Sequence, residues 1–218
     1  FSISTDIYHR FTDDLQSNFM LEGFYSKLVD AFVVEDIGWK DDILLKERRN
    51  GSGATVMGVT LEGKLAYKQW LQLQMGATVQ RSRYNEPEKW SEDVDVKAEE
   101  RMFRTPDIYG YFTAQITPAK RFDISLTGTY TGEMLVQHAA GYIPKDRAEL
   151  TPDFWEVNAK LTYCFPLSST TDLDISLGMM NIFNQFQTDF DKGKNRDSGY
   201  MYGLGQPRSW FADVKINF

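Results

Sequence analysis

Val59-Thr60-Leu61-Glu62-Gly63-Lys64-Leu65-Ala66-Tyr67 is the stretch on which the fold turns. Val59, Leu61, Gly63, Leu65 and Tyr67 alternate with Thr60, Glu62, Lys64 and Ala66, so an extended chain carries one greasy face and one polar face. The next segment repeats the pattern, with Leu71, Leu73, Met75, Ala77 and Val79 set against Gln72, Gln74, Gly76, Thr78 and Gln80. Only Lys68 to Trp70 lies between, which predicts a tight hairpin.

The same period extends in both directions. Ile108, Gly110, Phe112, Ala114 and Ile116 lead through a turn at Pro118 to Arg121 into Phe122, Ile124, Leu126, Gly128 and Tyr130. Trp155, Val157, Ala159, Leu161, Tyr163 and Phe165 are followed by a turn near Pro166 to Asp172, then by Leu173, Ile175, Leu177 and Met179. Trp210, Ala212, Val214, Ile216 and Phe218 make the last strand, and Phe19, Leu21, Gly23 and Tyr25 a weaker early one preceded by residues 1 to 11. All seven prolines are expected in connections or at strand starts, where a missing N–H breaks no ladder.

Connections sort by length. Short ones fall near 12 to 17, 68 to 70, 117 to 121 and 166 to 172, and long ones near 30 to 52, 85 to 104, 132 to 152 and 184 to 207. Alternation of short and long connections is the pattern of an outer-membrane barrel, with turns in the periplasm and loops outside the cell. The chain is 42% hydrophobic, yet its apolar runs, such as Ala31-Phe32-Val33-Val34, fall far short of the roughly 20 residues a spanning helix needs. A membrane location therefore means strands. Tyr67 and Trp70 flank a short turn while Tyr130, Trp155 and Trp210 sit at the other strand ends, as two interfacial girdles would. A soluble β-sandwich or lipocalin-like barrel also alternates, but does not sort its loops into two sides.

The net charge of -7, with Lys and Arg scattered among carboxylates, gives no nucleic-acid footprint. The single Cys164 makes no internal disulfide, and no Cys/His cluster has zinc spacing. With only His9 and His138, and no Gly-x-Ser-x-Gly elbow, no catalytic set is found and no enzyme is expected. About nine strands are counted, an odd number, so further strands are expected from an upstream portion or from another chain. The opening Phe1-Ser2-Ile3-Ser4 reads as the middle of a longer polypeptide, not as a signal sequence.

Leu177-Gly178-Met179-Met180-Asn181-Ile182-Phe183-Asn184 resembles the G-x-x-N-x-F-N signature in the penultimate strand of TonB-dependent receptors. The ending from Pro207 to Phe218 is similar to that family's final strand, and Arg104 to Gly110 and Gly128 to Gly132 look like its internal barrel segments. The resemblance implies an all-β, antiparallel transmembrane barrel of 22 strands, closed by an N-terminal plug on which TonB acts. Residues 1 to 218 would be its C-terminal strands, with the plug, the earlier strands and a TonB box lying outside them. The resemblance also implies a cell outer membrane location in a Gram-negative bacterium, an assembly signal at Phe218 and Trp210 read by the outer-membrane assembly machinery, and a surface lipoprotein as a candidate partner.

Three sets of side chains invite a binding role. His138 with Met134 and Tyr142 could offer an axial ligand and stacking surface to a metallo-macrocycle, and Thr131 to His138 looks like haem-receptor relatives. The bland alternative is a solvated surface histidine. Asp189, Asp191 and Asp197, with Gly193 and Asn195, form an oxygen-rich loop, but intervening Lys192, Lys194 and Arg196 and the lack of a bidentate Glu depart from a calcium loop, so calcium is not expected. The acidic residues between 85 and 104 read as a solvated face or as a divalent-ion bridge to lipopolysaccharide. No cofactor is required. The expected function is uptake of a scarce solute, with haem, corrinoid or ferric siderophore as cargo; the alternative is a structural or interaction subunit of an outer-membrane complex with no transport role.

Overall fold

The computed structural model describes residues 1–30, 32–41, 43–203 and 205–218. In chain order the strands are β1 (Ser2–Arg10), β2 (Leu15–Leu28), β3 (Phe32–Lys40), β4 (Ile43–Asn50), β5 (Ala54–Tyr67), β6 (Leu71–Glu88), β7 (Glu99–Arg101), β8 (Ile108–Ala119), β9 (Phe122–Thr131), β10 (Leu135–His138), β11 (Arg147–Leu150), β12 (Phe154–Pro166), β13 (Asp172–Met180) and β14 (Ser209–Asn217). Nine of them build one antiparallel wall in the order β1-β2-β5-β6-β8-β9-β12-β13-β14, with β7 paired to β6.

Cross-strand register keeps the two faces separate over the whole wall. One row runs Leu65, Leu73, Ala114, Leu126, Ala159, Met179, Trp210 across seven strands. The row beside it, on the other face, runs Asn18, Lys64, Gln74, Thr113, Thr127, Asn158. The polar face is knitted by side chains: Thr60 to Thr78 at 2.9 Å, Gln74 to the Tyr111 hydroxyl at 3.1 Å, and Thr162 to Ser176 at 2.9 Å. The apolar face is bare. Leu177 is 62% and Val214 65% exposed, whereas a sandwich would lay a second sheet over such a face. Among the described residues the only other sheets are the hairpins β3–β4 and β10–β11. Large aliphatic side chains left outward on every strand suit a hydrocarbon solvent, and the polar face suits water.

Aromatic side chains mark both ends of this face. Tyr67 and Trp70 meet edge to face at 5.4 Å beside the 68–70 turn, with Tyr163 and Phe165 in a similar contact at 4.6 Å. Tyr130 and Trp155 meet at 4.7 Å at the opposite end.

The connections alternate as the sequence predicts: 11–14, 68–70, 120–121 and 167–171 are short, and 29–53, 89–107, 132–153 and 181–208 are long. Three details differ. The long connections hold strands of their own, β3–β4, β7 and β10–β11; of the residues in the expected 30–52 loop, 31 and 42 lie outside the described set. β6 runs on to Glu88, because Tyr84 still pairs with Ala54 and the Asn85 amide donates to the Gly53 carbonyl at 3.0 Å. Pro87, Pro118 and Pro166 consequently stand in the last residues of strands instead of in connections. Each sits where the ladder is ending: Pro118 falls in the register shift between Ile116 and Ala119, and Pro87 in that between Arg83 and Glu88.

Candidate functional site

The long-connection end of the wall carries a cap built from the 89–107, 132–153 and 181–208 connections. Its foundation is the Leu177 to Asn184 stretch. Gly178 is opposite Phe211, whose ring lies where a Cβ would come within 2.2 Å, so only glycine fits beneath it. Three residues later Asn181 turns the chain at φ 49, where Asn is better tolerated than most residues. Its buried side chain ties both ends of the last long connection. Asn181 Nδ2 donates to the Gln185 and Gln206 carbonyls, both at 2.9 Å, while its Oδ1 accepts from the Gln185 amide at 3.1 Å. Asn184 Oδ1 accepts from the Arg208 amide at 2.9 Å. The asparagines of this stretch thus hold the entry to β14.

Arginines fasten the three connections to each other. The Arg104 amide donates to the Leu135 carbonyl at 2.8 Å, and its guanidinium donates to the carbonyls of Gly199 and of Met201, the latter at 2.7 Å. Arg101 donates to the Glu133 carbonyl at 2.9 Å. Ser91 donates to Asp146 at 2.6 Å. Tyr202 rests against Phe154 with ring centroids 6.1 Å apart, and Phe154 pairs with Thr131 on the polar face. The cap therefore sits over that face.

His138 is the centre of the cap, only 3% exposed. Its Nδ1 is 2.6 Å from Glu149 Oε1, and its Nε2 is 3.0 and 3.1 Å from the two oxygens of Asp191. Both nitrogens act as donors when the ring carries both its protons. The ring stacks on Tyr200. The Tyr200 hydroxyl lies 3.2 Å from Glu149 and 3.0 Å from Asp189, with one proton to donate between them, and Tyr202 donates to Asp189 at 2.7 Å. Met134, Val136 and Tyr200 form the packed apolar cluster below.

The ionisation of this network follows from its bonds. Burial works to raise the Glu149 carboxyl, but hydrogen bonds from His138 and Arg147 outweigh it and hold the group below its ordinary value. Burial likewise opposes, and the Tyr202 and Tyr200 hydroxyls overcome, the shift that leaves Asp189 lowered. Burial, and then the bond to Asp189, push Tyr202 up to about 12 and raise Tyr200 as well. At neutral pH the phenols are donors and the carboxylates acceptors.

This geometry places the sequence candidates differently from expectation. His138 is a buried cross-link, not surface, and with both ring nitrogens engaged it has none free for an iron atom. Met134 is packed in the apolar cluster, whereas Tyr142 is 53% exposed, so the structure does not gather the three onto one ligand face. Asp189, Asp191 and Asp197 do converge, but on protein donors. Asp191 accepts from the Asp197 amide at 2.8 Å, and Asp197 from the Ala139 and Gly199 amides at 2.9 and 2.7 Å. Among the described residues no group of three or more His, Cys, Asp or Glu could hold a metal ion. Trp210 and Phe218 are both exposed on the outward face, at opposite ends of the last strand. The sequence reading missed Glu149, Tyr200 and Tyr202, whose roles exist only once two distant connections meet.

No protein-family model matches the chain, and no curated protein sequence does. Solved structures do. The ferric-catecholate import receptor Fiu of E. coli K12 matches with a TM-score of 0.60 at 19% identity, over 99% of this chain and 27% of that one. A mutant of the ferric enterobactin receptor PfeA of Pseudomonas aeruginosa matches at 0.59 and 15% identity, over 99% and 30%. The siderophore receptor PiuA of Acinetobacter baumannii matches at 0.59 and 14%, over 99% and 28%. What is shared is the fold. The chain is an all-β, antiparallel stretch of barrel wall like that of these import receptors, and it spans less than a third of their length.

Proposed function

We propose that the chain is the C-terminal part of an outer-membrane receptor that imports a ferric siderophore, driven by the TonB system through a plug domain outside these residues. The observation that supports it best is the wall itself: nine strands in a match covering 99% of the chain, with a bare apolar face and a capped polar one. On this reading the long connections lie outside the cell and the cap over the polar face borders the entrance. The haem and corrinoid readings lose the free imidazole they relied on. The chain's part in uptake is to close the barrel and shape its mouth, not to perform chemistry. Phe218, at the turn-side end of the outward row, serves insertion by the assembly machinery more than cargo binding.

The test uses the full-length gene in iron-limited cells. Its deletion should abolish TonB-dependent uptake of radioiron supplied as a siderophore chelate, and the intact gene should restore it. Unchanged uptake across a panel of catecholate and hydroxamate chelates would overturn the reading.

A further inference from the structure

Glu156 is a carboxylate without a cation. It follows Phe154 by two residues on β12, so it shares the polar face with Phe154 and stands directly beneath the cap that rests there. It is half-buried; among the described residues no ion pair reaches it, and its hydrogen bond is a long one, from Asn158 Nδ2 at 3.4 Å. A cavity of about 200 Å³ opens beside it, lined also by Met180, Asn181, Gln206, Pro207 and Ser209. That is room for about six water-sized groups. Asn181 is occupied with the Gln185 and Gln206 carbonyls, so what the cavity offers a guest is one carboxylate, the Ser209 hydroxyl, the Gln206 amide and the apolar surface of Met180 and Pro207. No basic side chain lines it.

Charge along the polar face is ordered in the same sense. On four strands a carboxylate and a base share this face, and each time the carboxylate is nearer the long connections: Asp6 against Arg10, Glu62 against Lys64, Glu156 against Lys160 and Asp213 against Lys215. β2 adds Glu22 with no base on that face. A cation entering from the long-connection end meets attraction first, whereas an anion meets repulsion, and a groove walled by protein strengthens both.

We propose that Glu156 binds the free ammonium group of a positively charged ferric chelate, the alkyl stem of that group lying along Met180 and Pro207. An ammonium has three N–H donors, enough to serve the carboxylate, the Ser209 hydroxyl and the Gln206 amide oxygen together. The proposal rests on the uptake reading above and narrows its substrate class. Each hydroxamate gives up one proton on binding ferric iron, so a trihydroxamate chelate is neutral and a pendant ammonium makes it a cation. Each catecholate gives up two, so a tricatecholate chelate is a trianion, which the mouth-side carboxylates repel. The cargo class is therefore an amine-bearing hydroxamate chelate.

Calorimetric titration of the full-length receptor in detergent tests it with a linear ferric trihydroxamate ending in a primary amine, the same chelate N-acetylated, and a ferric tricatecholate. Wild type should bind the amine form about tenfold tighter than the acetylated one, and the tricatecholate more weakly than either. That comparison needs no variant. Glu156→Gln should then remove the preference by weakening the amine form alone, and its unchanged affinity for the acetylated form shows that it is folded. Equal affinity of wild type for the amine and acetylated forms, a variant that keeps the preference, or tightest binding of the tricatecholate would overturn the ammonium site and leave the receptor reading standing. Failure of that reading shows separately, as a receptor that binds no ferric chelate, and overturns both.

Discussion

His138 and Tyr200 lie face to face, their ring centroids 3.6 Å apart and their planes 10° from parallel. His138 ends β10, and Tyr200 arrives after two further wall strands, β12 and β13, so the stack cross-links connections that the sheet alone leaves independent. Replacing His138 by Phe keeps a ring for Tyr200 but strips Glu149 and Asp191 of one donor each. A buried acceptor left short of a donor costs about 1–3 kcal/mol, so His138→Phe should open the cap almost as much as His138→Ala. Hydrogen exchange should then accelerate at the Ala139 and Asp197 amides and remain slow in β9 and β12. Unchanged protection at both amides would show that the cap does not depend on His138.

Acid should loosen the same cap. Glu149 and Asp189 have folded pKa values below their ordinary 4.5 and 3.8. A lowered carboxylate contributes stability that is complete above its unfolded pKa and is lost as pH falls through the folded one. Exchange protection in 135–150 and 187–202 should thus be flat from neutrality down to about pH 5 and decline below about pH 4. A rise in protection on acidification would contradict the assignment of these groups as ionised acceptors.

Asn181 offers a test of the entry to β14. Asn181→Asp turns a donor that serves two carbonyls into an acceptor facing them, at a cost of about 1–3 kcal/mol for each buried group left unpaired. Asn181→Gly loses the same bonds but accepts φ 49 freely, and should be milder than Asn181→Ala by up to about 1–2 kcal/mol. Denaturant midpoints in lipid vesicles rank the three. An Asp variant as stable as wild type would remove Asn181 from the framework.

The two faces of the wall separate by a pair of neighbouring substitutions. Leu73 lies between Leu65 and Ala114 on the outward face, and Gln74 between Lys64 and Thr113 on the inward one. Leu73→Arg should cost about 2–4 kcal/mol if it sits near the bilayer midplane, while Gln74→Arg should cost little. Reversible folding into vesicles measures both, and equal penalties would refute the lipid-facing assignment.

The wall was legible in the sequence because a period of two survives in each strand taken singly: Leu71 to Val79 reads as a strand without knowledge of its neighbours. The alternation of loop lengths then supplied the architecture. The cap was not legible, because its bonds join residues far apart in the chain, such as His138 and Asp191, which are 53 positions apart. His138 falls in a long connection, and a long connection suggests solvent; only the arrival of Tyr200 and Asp191 makes it an interior. β6 was read short for a related reason, since Tyr84 to Glu88 keep strand geometry through contacts with Gly53 and β7 and not through their own pattern.

The ring over Gly178 has counterparts. Phe19 is opposite Gly63, Phe24 opposite Gly58, Tyr111 opposite Gly76 and Phe112 opposite Gly128, and in each case the ring occupies the space above the glycine. A strand that slid by one residue would swing such a ring onto the wrong face, and one that slid by two would drive it into a neighbour's Cβ or abandon the bare backbone that receives it. Hairpins whose faces are otherwise repetitive runs of Leu, Val, Thr and Gln have little else to tell one alignment from the next. Distributed over β2, β5, β6, β8, β9, β13 and β14, these five pairs single out one alignment at four of the wall's eight seams, so that the offset of those strands is marked within the wall itself and not by the cap above it.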